Sequence, residues 1–251
     1  MNAMKTILMG AAVLMASTVM PSCSDDDDNY VICTYPSPVP TALVTVKTEA
    51  NNSVYFQLDD KTTLFPTNMK KSPFGEKEVR ALVACVETNG NSSKYDKAVF
   101  VNWIDSILTK PAVLWTEDLD VEKYGSDPVE IVKDWVTIAE DGYLTLHFRT
   151  VWAGGKTHWI NLMTGVNKDN PYEVRLYHNA YGETSGRTGD ALVAFNLKDL
   201  PDTDGKTVKL TLKWNSFSGE KSAEFDYCTR KATNVGNLQV SQSQLRNADI
   251  K

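Results

Sequence analysis

Over residues 208–214 the chain places Val208, Leu210, Leu212 and Trp214 on one parity and Lys209, Thr211 and Lys213 on the other. Successive side chains of an extended strand point to opposite faces, so this segment can bury one face and wet the other. The same period of two recurs in Ala42, Val44 and Val46, in Val54, Phe56 and Leu58, in Val79, Ala81, Val83 and Cys85, and in Leu144, Leu146 and Phe148. Turn residues punctuate the runs at Asp59-Asp60-Lys61, Asn89-Gly90-Asn91 and Asp141-Gly142. No amphipathic helical stripe longer than two turns competes with them, and the chain reads as all-β.

The runs divide into two modules. About five short strands within residues 41–115 suggest a small barrel. About seven antiparallel strands within residues 128–233 fit a β-sandwich, with further strands expected over 129–139, 157–164, 172–179, 191–197 and 222–229. Residues 116–127, with Glu117, Asp118, Asp120, Glu122, Gly125 and Asp127, are acidic and poor in apolar groups and read as the linker. Residues 234–251, rich in Gln, Asn and Ser, read as a polar tail that frays or drapes over the surface.

The N-terminus carries an address. Lys5 precedes the 14-residue apolar run 7–20, which falls short of the roughly 20 residues a bilayer span needs and reads as the core of a signal peptide over residues 1–22. Pro21-Ser22-Cys23 then resembles a bacterial lipobox, with Cys23 acylated as the mature N-terminus. Residues 23–40 form a tether opening on Asp25, Asp26, Asp27 and Asp28, four adjacent carboxylates that repel one another and stay solvated. That acidic run resembles the signal that sends Bacteroidetes lipoproteins to the outer face of the outer membrane. Removal of residues 1–22 leaves 25 bases against 32 acids, and no basic cluster occurs, so nucleic acid is excluded as an expected partner.

Across nearly its whole length the chain resembles the NigD-like lipoproteins of Bacteroidetes, a family named after a protein from a bacteriocin locus. The resemblance rests on Ser22-Cys23-Ser24 with its aspartates, on Val101 to Lys110 (VNWIDSILTK), on Glu140 to Phe148 (EDGYLTLHF), on His158-Trp159-Ile160-Asn161-Leu162, and on His178-Asn179-Ala180. It implies an N-terminal OB-like barrel followed by a C-terminal antiparallel β-sandwich, in agreement with the strand count. It implies no activity. Tyr181-Gly182-Glu183 stands where the family pattern has Gly-Asp.

Candidate chemistry is sparse. His147 shares a parity with Thr145 and Arg149, opposite Leu144, Leu146 and Phe148, whereas His158 goes with Ile160 and Leu162, and His178 with Val174 and Leu176. One histidine therefore points outward and two inward, as structural residues; without local ligand spacing, no metal and no cofactor is expected. Gly155-Lys156-Thr157 and Gly205-Lys206-Thr207 lack the first glycine of a phosphate loop and read as hairpin turns. Asp202-Thr203-Asp204-Gly205 has Leu200 and Thr211 where a calcium loop needs acids, and no Gly-x-Ser-x-Gly elbow occurs. Once Cys23 is acylated, Cys33, Cys85 and Cys228 remain, an odd number, with Cys85 read as a buried thiol.

Trp152 and Trp159, with Tyr177 and Tyr181 beyond them, could stack on sugar rings, although large aromatics of a sandwich more often fill its core. Asp105-Ser106-Ile107 resembles a short O-glycosylation motif of Bacteroidetes secreted proteins, with Ser106 as acceptor. The expected protein is non-enzymatic and lipid-anchored in the envelope, surface-exposed on the outer membrane, and acts on an unknown protein or glycan ligand. A bacteriocin-immunity role is the alternative. A carbohydrate-binding or carbohydrate-active protein is the second; catalysis there would need two carboxylates about 5 to 10 Å apart in one cleft.

Overall fold

The computed structural model describes residues 39–90, 94–183 and 185–230. The expected signal peptide, Cys23, Asp25 to Asp28, Cys33 and residues 234–251 lie outside them.

Five strands close the N-terminal barrel: β1 (Ala42–Thr48), β2 (Val54–Gln57), β3 (Thr63–Pro66), β4 (Val79–Glu87) and β5 (Lys97–Ser106). Their order round the barrel is β1-β2-β3-β5-β4, with β3 and β5 parallel, the arrangement of an OB fold. The alternating residues read from the sequence fill it: Val44, Val46, Val54, Phe56, Val79, Ala81 and Val83 are buried together, with Ala42, Leu58 and Cys85 at the margin. Asp59 makes the β2–β3 turn by accepting from the amides of Lys61 and Thr62 at 2.8 and 2.7 Å.

Ten further strands make the sandwich. They are β6 (Leu108–Pro111), β7 (Val113–Leu114), β8 (Glu130–Ile131), β9 (Ile138–Glu140), β10 (Tyr143–Trp152), β11 (Trp159–Thr164), β12 (Glu173–Asn179), β13 (Arg187–Asn196), β14 (Val208–Ser216) and β15 (Gly219–Tyr227). One sheet runs β6-β13-β10-β8, with β9 also on β10, and the other β15-β14-β12-β11-β7. Most pairings are antiparallel; β6 with β13, β7 with β11 and β12 with β14 are parallel. Leu144, Leu146, Phe148, Leu162, Val174, Leu210, Leu212 and Trp214 interdigitate between the sheets.

Several expectations need correction. Residues 108–114, assigned to the barrel, pair instead with β13 and β11, because Ala112 turns the chain from one sandwich sheet to the other and is itself buried in the sandwich core. The stretch 116–127 does not simply link two modules. It follows β7 and carries a 3₁₀ turn at Glu122–Tyr124 that contacts β11 and β12. There Gly125, at φ 74°, lets the backbone pass where a Cβ would lie 2.6 Å from the His178 carbonyl. The strand expected over 129–139 is two short strands around a turn, in which the Asp134 carboxylate accepts from the amides of Val136 and Thr137. The two Gly-Lys-Thr segments are not hairpins, because each joins strands of different sheets.

Barrel and sandwich share a third apolar cluster, Leu43 and Ile107 against Val136, Tyr143 and Ala194, with Leu82, Ile138 and Leu192 beside it. Charge crosses the same junction. The Asp141-Gly142 turn has both residues at positive φ, which suits a two-residue hairpin. Its Asp141 reaches the barrel, 3.0 Å from Lys47 Nζ, while the Asp141 amide donates to Asp60 at 2.7 Å. Arg80, fully buried on the outer face of β4, donates to Thr45 at 3.0 Å, to Thr145 at 3.3 Å and to Glu140. Arg230 closes the set, with Asp141 on one side and Glu78 at 2.7 Å on the other. Lys47, Arg80 and Arg230 pair with Asp141, Glu140 and Glu78, and the β1–β4 face of the barrel is occupied by the chain's own sandwich.

Candidate functional site

The end of the sandwich where β10 leaves one sheet and β11 enters the other gathers Trp152, His158, His178 and Glu183. The Trp152 indole crosses Gly189 on the neighbouring strand, where a Cβ would lie 2.7 Å from the ring. The His158 imidazole also stacks on it, at 4.2 Å and 16°. Register pairing of Ile160 with His178 brings the second imidazole alongside, and His178 Nε2 lies 3.0 Å from His158 Nδ1. His178 Nδ1 faces the Asp127 carbonyl at 3.3 Å, and His158 Nε2 faces Glu183 Oε2 at 3.1 Å.

Glu183 ties two connections together, accepting from the amides of Ala153 at 3.1 Å and Gly155 at 2.8 Å. Burial would raise its carboxyl, yet His158 and the two amides together hold it below the ordinary range. Burial, reinforced by the neighbouring His158, pushes His178 down to about 4. The parity reading of the histidines holds: His158 and His178 are buried, and His147 sits on the outer face.

The expected aromatics do not form one platform. Trp152 packs half-buried against the sandwich core, and Trp159 stacks at 4.8 Å on Tyr124, a residue the sequence reading left in a linker. Tyr177 lies on the outer sheet face with Arg175 5.8 Å from its ring centre, and Tyr181 is exposed in the turn after β12. Ser106 ends β5 half-buried and lines a cavity of about 280 Å³ with Phe74, Lys77, Val79, Ile107 and Leu108. Cys85 and Cys228 are free thiols, half-buried.

A second polar group lies on the outer face of the β10–β13 sheet. Asp134 lies 2.6 Å from His147 Nδ1 and Asp190 3.1 Å from Nε2, while Arg149 grips Asp190 at 2.6 and 2.9 Å. Hydrogen bonding from Arg149, then from His147, holds Asp190 down to about 2. Burial would lift Asp134, but the bonds from His147 and two amides leave it lowered. Among the described residues no group of three His, Cys, Asp or Glu side chains is arranged to hold a metal ion.

Sequence reasoning missed Lys110 as well as Arg80. Lys110 points inward from β6 and spans to the other sheet, donating to the Ile160 carbonyl at 2.8 Å and to Asn161 at 2.7 Å, and burial pushes it down to about 8. A lone charge on the apolar parity was the available signal, since Lys110 shares it with Leu108.

Residues 43–107 match the NigD-like N-terminal OB domain, and residues 111–227 the NigD-like C-terminal beta sandwich domain. A candidate toxin-related protein from Parabacteroides distasonis shares 34% identity over 75% of this chain and 92% of its own, with a TM-score of 0.63. A NigD-like immunity protein from Bacteroides caccae matches at 19% identity, 74% and 96% coverage and a TM-score of 0.53. A candidate lipoprotein from Bacteroides fragilis matches at 13%, 76% and 98% coverage and 0.52. The last two show likeness of fold alone. No curated protein matches the chain.

Proposed function

This chain belongs to the NigD-like family, and from that premise we propose that it is a lipid-anchored cell-envelope protein that works by binding rather than catalysis. Cys23 at the end of the signal-peptide core carries the anchor part of this reading, and a similar fold is named a candidate lipoprotein. Asp25 to Asp28 support export to the cell surface on the outer membrane.

The observation that carries the binding reading is that the charged clusters of the fold are closed on themselves. A general acid needs a carboxyl held well above its ordinary range. Asp134, Asp190 and Glu183 are instead held below it by their own donors. Burial raises Glu140 more than Arg80 lowers it, but Glu140 stands packed between barrel and sandwich. What remains for recognition is the exposed surface, whose exposed aromatics among the described residues are Phe100, Trp135, Tyr181 and Phe217. The ligand class proposed for that surface is a protein or a glycan, and neither a cofactor nor nucleic acid enters the reading.

Replacing Cys23 with Ser is expected to move the protein from the membrane fraction to the soluble one; continued sedimentation with membranes would refute the anchor. Replacing Asp25 to Asp28 with Ala is expected to shield the protein from protease added to intact cells. Unchanged digestion would count against the acidic export signal.

The second reading is self-protection against a toxin. It is favoured by the 34% identity to the toxin-related protein and by the name of the immunity protein of similar fold. Deleting the chain in a strain that makes a neighbouring bacteriocin and scoring survival separates the two readings.

A further inference from the structure

The chain of contacts Asp127–His178–His158–Glu183, with both imidazoles buried, fixes its own proton count. The Asp127 carbonyl can only accept, so His178 Nδ1 at 3.3 Å carries a hydrogen. His178 is held at about 4, chiefly by burial, so above that pH its ring is neutral and Nε2 is a bare lone pair. The facing His158 Nδ1, at 3.0 Å, then has to donate. A neutral His158 with hydrogen on Nδ1 presents a second lone pair at Nε2, and the group opposite it at 3.1 Å is Glu183 Oε2, in a carboxylate that already accepts from two amides. These tautomers follow from the partners. Two acceptors in contact repel, and the contact exists only with a hydrogen between them.

We propose that the His158–Glu183 contact binds one proton beyond those of two neutral imidazoles and an ionised carboxylate, and that this proton latches together the two connections at the open end of the sandwich. The surroundings suit it. The His158 ring lies parallel to the Trp152 indole at 4.2 Å, the geometry in which a π face stabilises positive charge. The titratable and charged groups around it are His178 from β12, Asp127 from the segment before β8, Glu183 from the turn after β12, and Lys156 from its own connection. Lys156 donates to the Tyr181 carbonyl and so joins the same two connections. Asp127 accepts from the Ala180 amide at 2.7 Å and acts on His178, whereas Glu183 is the carboxylate in contact with His158 Nε2 and so its counter-charge.

The latch has two limits. Loss of the proton as pH rises sets lone pair against carboxylate and frees the Ala153–Lys156 connection from Glu183. At the acid end, protonation of His178 sets two N–H donors against each other. Because His178 sits below its unfolded value, the unfolded chain takes up that proton first, and stability falls as pH drops from about 6.5 toward about 4.

The test is amide hydrogen exchange at Ala153 and Gly155, corrected for intrinsic rates, followed by NMR from about pH 6 to about pH 10 beside the ring signals of His158. Protection is expected to fall about tenfold or more, in step with the ring titration, as expected for a lost hydrogen bond to a charged group. In Glu183→Gln the amide supplies its own hydrogen to Nε2, so the Gly155 amide should keep its protection across the same range. Wild-type protection that stays flat to the alkaline end overturns the proposal, and so does a fall that persists in Glu183→Gln.

Discussion

Replacing Arg80 with Met is expected to lower folding stability by about 3–5 kcal/mol, the cost of leaving one member of a buried ion pair without its partner. Arg80 has no exposed surface, and besides Glu140 it serves Thr45 on the barrel and Thr145 on the sandwich. Its loss therefore strands a carboxylate and two hydroxyls at the junction of the two modules. Glu140 is already raised in the intact protein, because burial outweighs the attraction of Arg80. Without Arg80 it rises further. The deficit is then largest at neutral pH and shrinks as pH falls and Glu140 takes up a proton, since only its charged form is penalised. Urea melts at about pH 5 and pH 7 read this directly. Arg80→Met combined with Glu140→Gln should recover a large part of the loss, because the stranded charge is gone. Equal losses at both pH values, or no recovery in the double variant, would show that packing rather than charge holds the junction here.

The junction also shows where sequence reading stops. Val79, Ala81 and Val83 announced a strand with one buried face, and the barrel core is built from them. The same alternation placed Arg80 on the opposite parity, where solvent is the ordinary neighbour. It is buried there because the sandwich covers that face, a tertiary fact without local periodicity. Tyr124 makes the same point: an acidic, apolar-poor segment looked like a linker, yet one aromatic in it stacks on Trp159. β6 and β7 escaped notice because strands of four and two residues are too short to show alternation.

At the candidate site, parity assigned the burial of all three histidines, since it needs only the local chain. That His158 and His178 touch depends on the β11–β12 register, and their strands are joined by a connection with no turn signature of fixed length. Glu183 was visible only as part of the Tyr181-Gly182-Glu183 departure from the family pattern, and that departure supplies the carboxylate facing His158.

Trp152 offers the sharpest choice between core packing and a sugar platform. Its ring packs against the sandwich core, stacks on His158 and lies across Gly189. Trp152→Ala is expected to cost about 3 kcal/mol, the lower end of the range for deleting a large aromatic, because the ring is only half-buried. Gly189→Ala places a methyl 2.7 Å from that ring and should cost about 1–3 kcal/mol by overpacking. Gly189 has no left-handed backbone to protect, so the ring is the main obstacle. With Trp152 already replaced by Ala, Gly189→Ala should therefore turn neutral or stabilising by about 0.5 kcal/mol, since alanine loses less backbone freedom than glycine in a strand. The double-variant cycle would then show a coupling of about the whole single-variant cost. Thermal melts and glycan binding measured on the same four proteins decide the matter. A Trp152→Ala protein that melts like the parent but loses a glycan would make the ring a platform; the stacked contact with His158 and the absence of room above Gly189 favour the fall in the melt.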